Sequence, residues 1–234
     1  MLRRWLALAL ARLPSQCAVC RSWQAAPLCA ACVARFARPQ PRCDTCALPL
    51  AGGATRCGAC LHRPPPLDAC HCAVDYAYPW TQCIGEFKFR QMPGWAEALA
   101  GLLRAAPGVA DALARADLVL PMPLSAGRLR QRGYNQALEL ARRLAPNKTD
   151  ARLLLRVRET APQMALDAAA RRRNVRGAFA LDPPRAGQVR GRRIVLVDDV
   201  MTSGASLHAA AGVLRSGGAA EVCAVVLART PPPG

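Results

Sequence analysis

Aromatic residues are scarce in this chain, making up 5% of its 234 residues. Any core must therefore be packed mainly by Ala, Leu and Val, and the 52% hydrophobic content supplies enough of them. Acid is scarce too. Fifteen Asp and Glu stand against 32 Lys and Arg, a formal charge of +17. That field favours phosphates, nucleic acid or anionic lipid, although an Arg-rich coding bias produces the same composition with no ligand involved. No apolar run reaches the roughly 18 uncharged residues of a membrane-spanning helix. No secretion signal is expected either. The basic start, Met1 to Arg4, precedes a short apolar stretch that Arg12 interrupts, and Leu13-Pro14-Ser15-Gln16 offers no small-x-small cleavage site. Gln16 is too bulky for lipoprotein processing at Cys17. A short amphipathic helix is expected at the N-terminus, and the chain is expected in the cytoplasm.

Cysteine, by contrast, is abundant. Eight of the 12 cysteines form four C-x-x-C pairs: Cys17/Cys20, Cys29/Cys32, Cys43/Cys46 and Cys57/Cys60. Cytosolic thiols stay reduced, which favours metal ligation over disulfides, redox pairs or an iron–sulfur cluster. Two thiolates on one tight turn can approach a single ion, and tetrahedral Zn²⁺ takes two such turns at about 2.3 Å per sulfur. Four pairs thus suit two ions, most simply in sequential order, with an interleaved pairing left open by spacing alone. All four positions of each ion are filled, so these are structural sites. Residues 1–66 are too few and too Pro-rich to fold on a core alone, and zinc binding worth about 10–16 kcal/mol can replace that core. Cys70, Cys72, Cys83 and Cys223 read as small buried residues, and His62 and His208 as surface or packing residues.

Pro64-Pro65-Pro66 marks a boundary between a ribbon region, 1–66, and a larger domain, 67–234. Beyond it, strands are expected at 73–78, 118–121, 193–197 and 222–227. Helices are expected at 84–104 (broken near Pro93-Gly94), 134–144 and 206–215. The runs at 193–197 and 222–227 are continuously apolar, as in strands buried on both faces, so the alternation argues for an α/β fold with a mainly parallel sheet.

The segment Val195-Leu196-Val197-Asp198-Asp199-Val200-Met201-Thr202-Ser203-Gly204-Ala205-Ser206 carries the chemistry. A buried strand ends in two acids at its carboxyl edge, where open α/β sheets place ligands. Small and hydroxylated residues then lead into a helix N-terminus, where backbone N–H groups and the helix dipole favour a phosphate. The carboxylates suit sugar hydroxyls, and the loop suits the sugar's phosphate.

This segment resembles the signature of type I phosphoribosyltransferases that binds 5-phosphoribosyl-1-diphosphate (PRPP). Together with the four C-x-x-C pairs, it makes the chain similar to the ComF family of competence proteins. Arg128-Leu129-Arg130-Gln131-Arg132-Gly133-Tyr134-Asn135-Gln136 resembles that family's R-x-R-G-[FY]-N-Q segment, as do Thr160 to Gln163 and Arg171 to Phe179 its T-x-x-Q…R…N…AF segment. The resemblance implies a type I phosphoribosyltransferase-like sheet with helices on both faces, preceded by a double zinc ribbon. It implies that Asp198 and Asp199 contact the ribose, that Thr202, Ser203, Gly204, Ala205 and Ser206 hold the 5-phosphate, and that Pro123 to Ser125 approach the diphosphate. Mg²⁺ would accompany PRPP, and the stretch from Arg156 to Arg176 would cover the site. Arg171 and Arg172, with Arg173, are the candidates to stabilise the leaving diphosphate. Thr202 stands where hypoxanthine-type enzymes carry an acidic base, which argues against the same proton chemistry on a purine.

Two functions compete. One is a Mg²⁺-dependent phosphoribosyltransferase of unknown acceptor, with a dimer as one expected state. The other is a module without catalysis that handles single-stranded DNA, alone or with competence and recombination proteins. There Arg21, Arg35, Arg38, Arg42, Arg56 and Arg63 would give the ribbon a positive field, and Trp5, Trp23 and Phe36 would offer stacking surfaces. A ribbon that docks only protein is a third reading.

Overall fold

The computed structural model of the protein describes residues 15–90, 92–159 and 175–231. The cysteine-rich region holds an antiparallel pair, β1 (Ser15–Gln16) with β2 (Trp23–Gln24), and two short helices, α1 (Ala30–Phe36) and α2 (Gly58–His62). The larger region then runs β3 (Ala69–Asp75), α3 (Trp80–Phe89), α4 (Trp95–Ala105), α5 (Val109–Arg115), β4 (Leu118–Pro121), α6 (Ala126–Arg132), α7 (Gln136–Leu144), β5 (Leu154–Arg156), β6 (Phe179–Leu181), a 3-10 segment (Pro183–Val189), β7 (Arg193–Met201), α8 (Ala205–Ser216) and β8 (Glu221–Arg229).

Four strands form one parallel sheet in the order β3-β8-β7-β4, and β5 pairs with β6 in a separate antiparallel ribbon. The two central strands carry the apolar runs read in the sequence, and their side chains alternate between two layers. Ile194, Leu196, Val222, Ala224 and Val226 pack on the side of α8, through Leu207, Ala211 and Leu214. Val195, Val197, Cys223 and Val225 pack on the other side against Ile84 and Phe87 of α3, Leu99 and Leu103 of α4, and Leu140 of α7. Helices thus cover both faces, which is why β7 and β8 tolerate no polar residue along most of their length.

The two cysteine clusters are not peripheral. Cys43, Cys46, Ala47, Cys57 and Cys60 belong to the same buried cluster as α8 and its face of the sheet. The first cluster touches the opposite layer through Val19 and Phe36, and the Trp80 indole N–H donates to the Phe36 carbonyl at 3.0 Å.

Several elements differ from the sequence reading. The helical stretch expected over 84–104 starts earlier, at Trp80, and is broken where expected, near Pro93-Gly94, because Pro93 removes a donor and clashes with the preceding turn. β3 starts at Ala69 rather than residue 73, so Cys70 and Cys72 are alternate inward residues of a strand and His71 lies between them. β7 continues through both acids to Met201. α5, α6, β5 and β6 had no counterpart in the reading. Each is at most seven residues long, and α6 buries no residue, so no apolar period announces it. Among the described residues no helix is long and apolar enough to cross a membrane.

Candidate functional site

The eight cysteines of the C-x-x-C pairs gather in sequential order. Cys17, Cys20, Cys29 and Cys32 form one group, and Cys43, Cys46, Cys57 and Cys60 the other, with the sulfurs of each group all within 4.8 Å of one another. Backbone N–H groups already point at sulfur, from Cys29 to Cys17 Sγ at 3.4 Å and from Cys57 to Cys43 Sγ at 3.4 Å. Burial opposes a thiolate at Cys17, yet the N–H groups of Cys20, Cys29 and Val19 outweigh it and bring the thiol down to about 6. Cys43 falls to about 7 in the same way. Burial pushes Cys32 and Cys46 up to about 12 and about 11. Within each cluster, N–H donors and burial thus pull different thiols in opposite directions, a conflict that a tetrahedral divalent ion removes; the donor sets fit structural zinc. Cys70, Cys72, Cys83 and Cys223 stay outside both groups, all buried.

The acids near the carboxyl end of β7 are held by their own backbone. Asp198 Oδ1 accepts from the Asp199 N–H at 2.9 Å, and Asp199 Oδ1 from the Val200 N–H at 2.6 Å. Lys88, one residue before the end of α3, places Nζ 2.8 Å from Asp199 Oδ1. Burial and then the neighbouring charge of Asp199 push Asp198 up to about 7, with Lys88 and Arg132 acting in the opposite direction. Past Met201 the chain turns through Thr202, Ser203 and Gly204 into α8. Gly204 caps that helix at φ 76°, and a Cβ there would lie 2.5 Å from Met201 Cε, so the turn requires glycine. The turn and the first residues of α8 enclose a recess of about 40 Å³ lined by Asp198, Thr202, Gly204, Ala205 and Ser206. Ser203 does not line it; its Oγ accepts from the Ala205 N–H at 3.4 Å.

The recess opens into a cleft of about 410 Å³, in which Asp198, Asp199, Thr202 and Ser206 face Lys88, Arg128, Arg132 and Arg156. The opposing wall is built by the segment after β4. Ser125 caps α6 by accepting from the Arg128 N–H at 3.4 Å, and Gly133 ends that helix at φ 77°. Asn135 caps α7 and donates from Nδ2 to the Met122 carbonyl at 3.1 Å, which ties that segment to the loop leaving β4. The Tyr134 hydroxyl donates to the Phe87 carbonyl, and Arg132 lies over the Phe89 ring at 5.3 Å while donating to Gln136. Burial, reinforced by the neighbouring guanidinium charge, holds Arg128 and Arg156 below the ordinary arginine range. Four cations against two acids, in a partly dry cleft, suit a ligand with several negative charges.

The structure thus brings together Asp198, Asp199, Thr202, Gly204, Ala205 and Ser206 around one space, with Ser203 behind them. Arg171 and Arg172 lie outside the described residues, as do Arg173, Trp5 and the segment from Thr160 to Gln163. Of the candidate stacking residues, Trp23 is 71% exposed, whereas Phe36 is occupied edge-on by Tyr78 and stacked by Arg35. Sequence reasoning missed Lys88. One signal was present: the chain has 30 arginines and only Lys88 and Lys148 as lysines. Both make specific contacts, Lys148 donating to the carbonyls of Leu113 and Ala114.

Comparison with known proteins agrees with this geometry. Residues 97–232 match the family model of the phosphoribosyl transferase domain, and residues 9–61 that of the double zinc ribbon domain. The chain is 36% identical over 183 residues to DNA utilization protein YhgH of Escherichia coli O157:H7, covering 74% of this chain and 77% of that one. It is 36% identical over 179 residues to the Salmonella typhi protein of the same name, with the same coverage. Competence protein F of Haemophilus influenzae is 35% identical over 182 residues, again across 74% and 77% of the two chains.

Proposed function

The chain belongs to the ComF family, with a double zinc ribbon ahead of a phosphoribosyl transferase domain, and from that premise we propose that its cleft binds PRPP and transfers phosphoribose to an acceptor. The observation that carries the reading is the meeting, in one cleft, of paired acids at the end of a parallel strand, a glycine-shaped helix N-terminus and a cationic wall. The recess takes the 5-phosphate on the backbone N–H groups of residues 202–206 and the hydroxyls of Thr202 and Ser206. Asp198 and Asp199 accept from the ribose hydroxyls. Arg128, Arg132 and Arg156 face the diphosphate. Its bond to C1 breaks with the electron pair leaving on oxygen, while the acceptor's lone pair forms the new bond to C1. The guanidinium groups stabilise the charge that gathers on the leaving diphosphate. Carboxylate and diphosphate oxygens are the hard donors that Mg²⁺ prefers, and when bound it adds charge neutralisation at the leaving group.

Calorimetric titration of Mg²⁺ and PRPP tests this reading. Binding by the wild type, lost in the Asp198→Ala, Asp199→Ala double variant, is expected; absence of binding to a folded, zinc-loaded wild type would sink it. The relatives' names, DNA utilization protein and competence protein, favour a link to DNA. In a second reading, favoured by the +17 charge, the ribbon and the basic cleft rim hold single-stranded DNA. On either reading the protein works as a ribbon, 1–66, fused to a phosphoribosyl transferase domain, 67–234, in the cytoplasm.

A further inference from the structure

Arg229, the last residue of β8, is buried, with 9% of its surface exposed. Its Nε donates to the Cys46 carbonyl at 2.9 Å. Nη1 donates to the Met201 carbonyl at 3.2 Å, to the Thr230 carbonyl at 2.6 Å and to the Thr202 carbonyl. One planar guanidinium thus joins a ligand residue of the second cysteine cluster to the turn that forms the phosphate recess. Among the described residues no carboxylate pairs with it. Carbonyls take the N–H groups of Nε and Nη1, but they leave the charge without a counter-ion, which a buried cation tolerates poorly. Four thiolates around one divalent ion carry a net double negative charge, and that charge would arise at Cys43, Cys46, Cys57 and Cys60, beside Arg229.

From this geometry we infer that Arg229 is a positioning residue that makes the phosphate recess depend on the metal state of the second cysteine cluster. The loaded cluster supplies the counter-charge that keeps Arg229 in place. Arg229 in turn fixes the carbonyls of Met201 and Thr202, and so orients the N–H groups that follow them. The first cluster has no such link in the described residues. The inference deepens the phosphoribose reading and rests on it for its ligand, but its structural half stands without any ligand. Lysine at this position keeps the charge and loses the fork that reaches four carbonyls.

The test uses the full chain carrying two zinc ions, as wild type and as Arg229→Lys. Amide hydrogen exchange is followed by mass spectrometry over residues 202–206, with no ligand present. Exchange at least tenfold faster in the variant, at unchanged zinc content and unchanged protection of β4, supports the inference; equal exchange overturns it. A second measurement needs no substitution. Zinc is withdrawn from the wild type by a chromophoric chelator, with and without saturating Mg²⁺ and PRPP. Because coupling is reciprocal, the ligand should retain one of the two ions at least tenfold more strongly and leave the other unaffected. A wild type that binds PRPP yet releases both ions equally with and without it overturns the coupling. A wild type that does not bind PRPP overturns the phosphoribose reading instead, and the exchange experiment then decides the role of Arg229 alone.

Discussion

Lys88 Nζ and Asp199 Oδ1 are 2.8 Å apart, on side chains that are 14% and 9% exposed. The pair links the end of α3 to the end of β7 across the floor of the cleft, so it serves both the fold and the charge of the site. Removing one partner leaves the other buried and unpaired. Lys88→Met should therefore destabilise the protein by about 3–5 kcal/mol, seen as a lower urea midpoint. Lys88→Met combined with Asp199→Leu should recover much of that loss while PRPP binding stays abolished.

The raised carboxyl of Asp198 gives a pH signature. Its ordinary value is 3.8 and in the fold it lies at about 7, so between these limits the folded chain holds a proton that the unfolded chain has released. Stability should fall as pH rises through that window. PRPP affinity should move the other way, rising towards and past pH 7, because the ribose hydroxyls bind the ionised carboxylate best. Asp198→Asn should flatten both trends, checked by thermal melts and calorimetry from pH 5 to 8.

Metal content follows from the cysteine geometry. Mass-spectrometric metal analysis should return two zinc ions per chain. Cys83→Ala and Cys223→Ala should keep both, because those thiols lie in the core and outside the clusters. Cys20→Ser, on the one exposed ligand, should lower the affinity of the first ion only.

Gly204→Ala places a side chain at φ 76° and a Cβ 2.5 Å from Met201 Cε. Backbone strain of this kind costs about 1–3 kcal/mol. The melting temperature should drop, and PRPP affinity should drop as well, since relief of the φ strain would turn the N–H groups of the recess.

Single-stranded DNA binding, where it occurs, should weaken steeply with salt, with a slope of about −0.7 for each phosphate contact. Fluorescence anisotropy between low and physiological salt measures that slope. A slope near zero would point away from the basic rim as the contact surface.

The legible parts of this protein were those where one constraint dominates. Thiolate spacing gave the eight ligands and their division between two ions, with sequential pairing the simplest of the arrangements left open, and the fold gathers them in that order. The runs at 193–197 and 222–227 gave the buried centre of the sheet, since only strands covered on both faces are apolar without alternation. The acids and small residues from Asp198 to Ser206 gave the recess, because no packing requirement explains them. The cationic wall was harder to read. Arg128 and Arg132 sit on a helix with no buried residue, in a chain where arginine is everywhere, so the guanidiniums that line the cleft look like the solvated ones. Arg156 comes from a three-residue strand too short to carry a period. Arg229 lies two residues past the strand expected at 222–227 and drew no reading, yet it is buried against four carbonyls.

The second cysteine cluster packs within the same core as α8 and one face of the sheet, with Leu48 and Leu50 laid against it. A chimera that exchanges this ribbon for that of another protein would therefore transplant half of a hydrophobic interface, not a detachable tag. Truncation at the proline boundary would strip the sheet's covering and leave Leu67, Cys70 and Cys72 facing water. Whatever the ribbon contacts in the cell, it cannot be borrowed or discarded without redesigning the sheet beneath it.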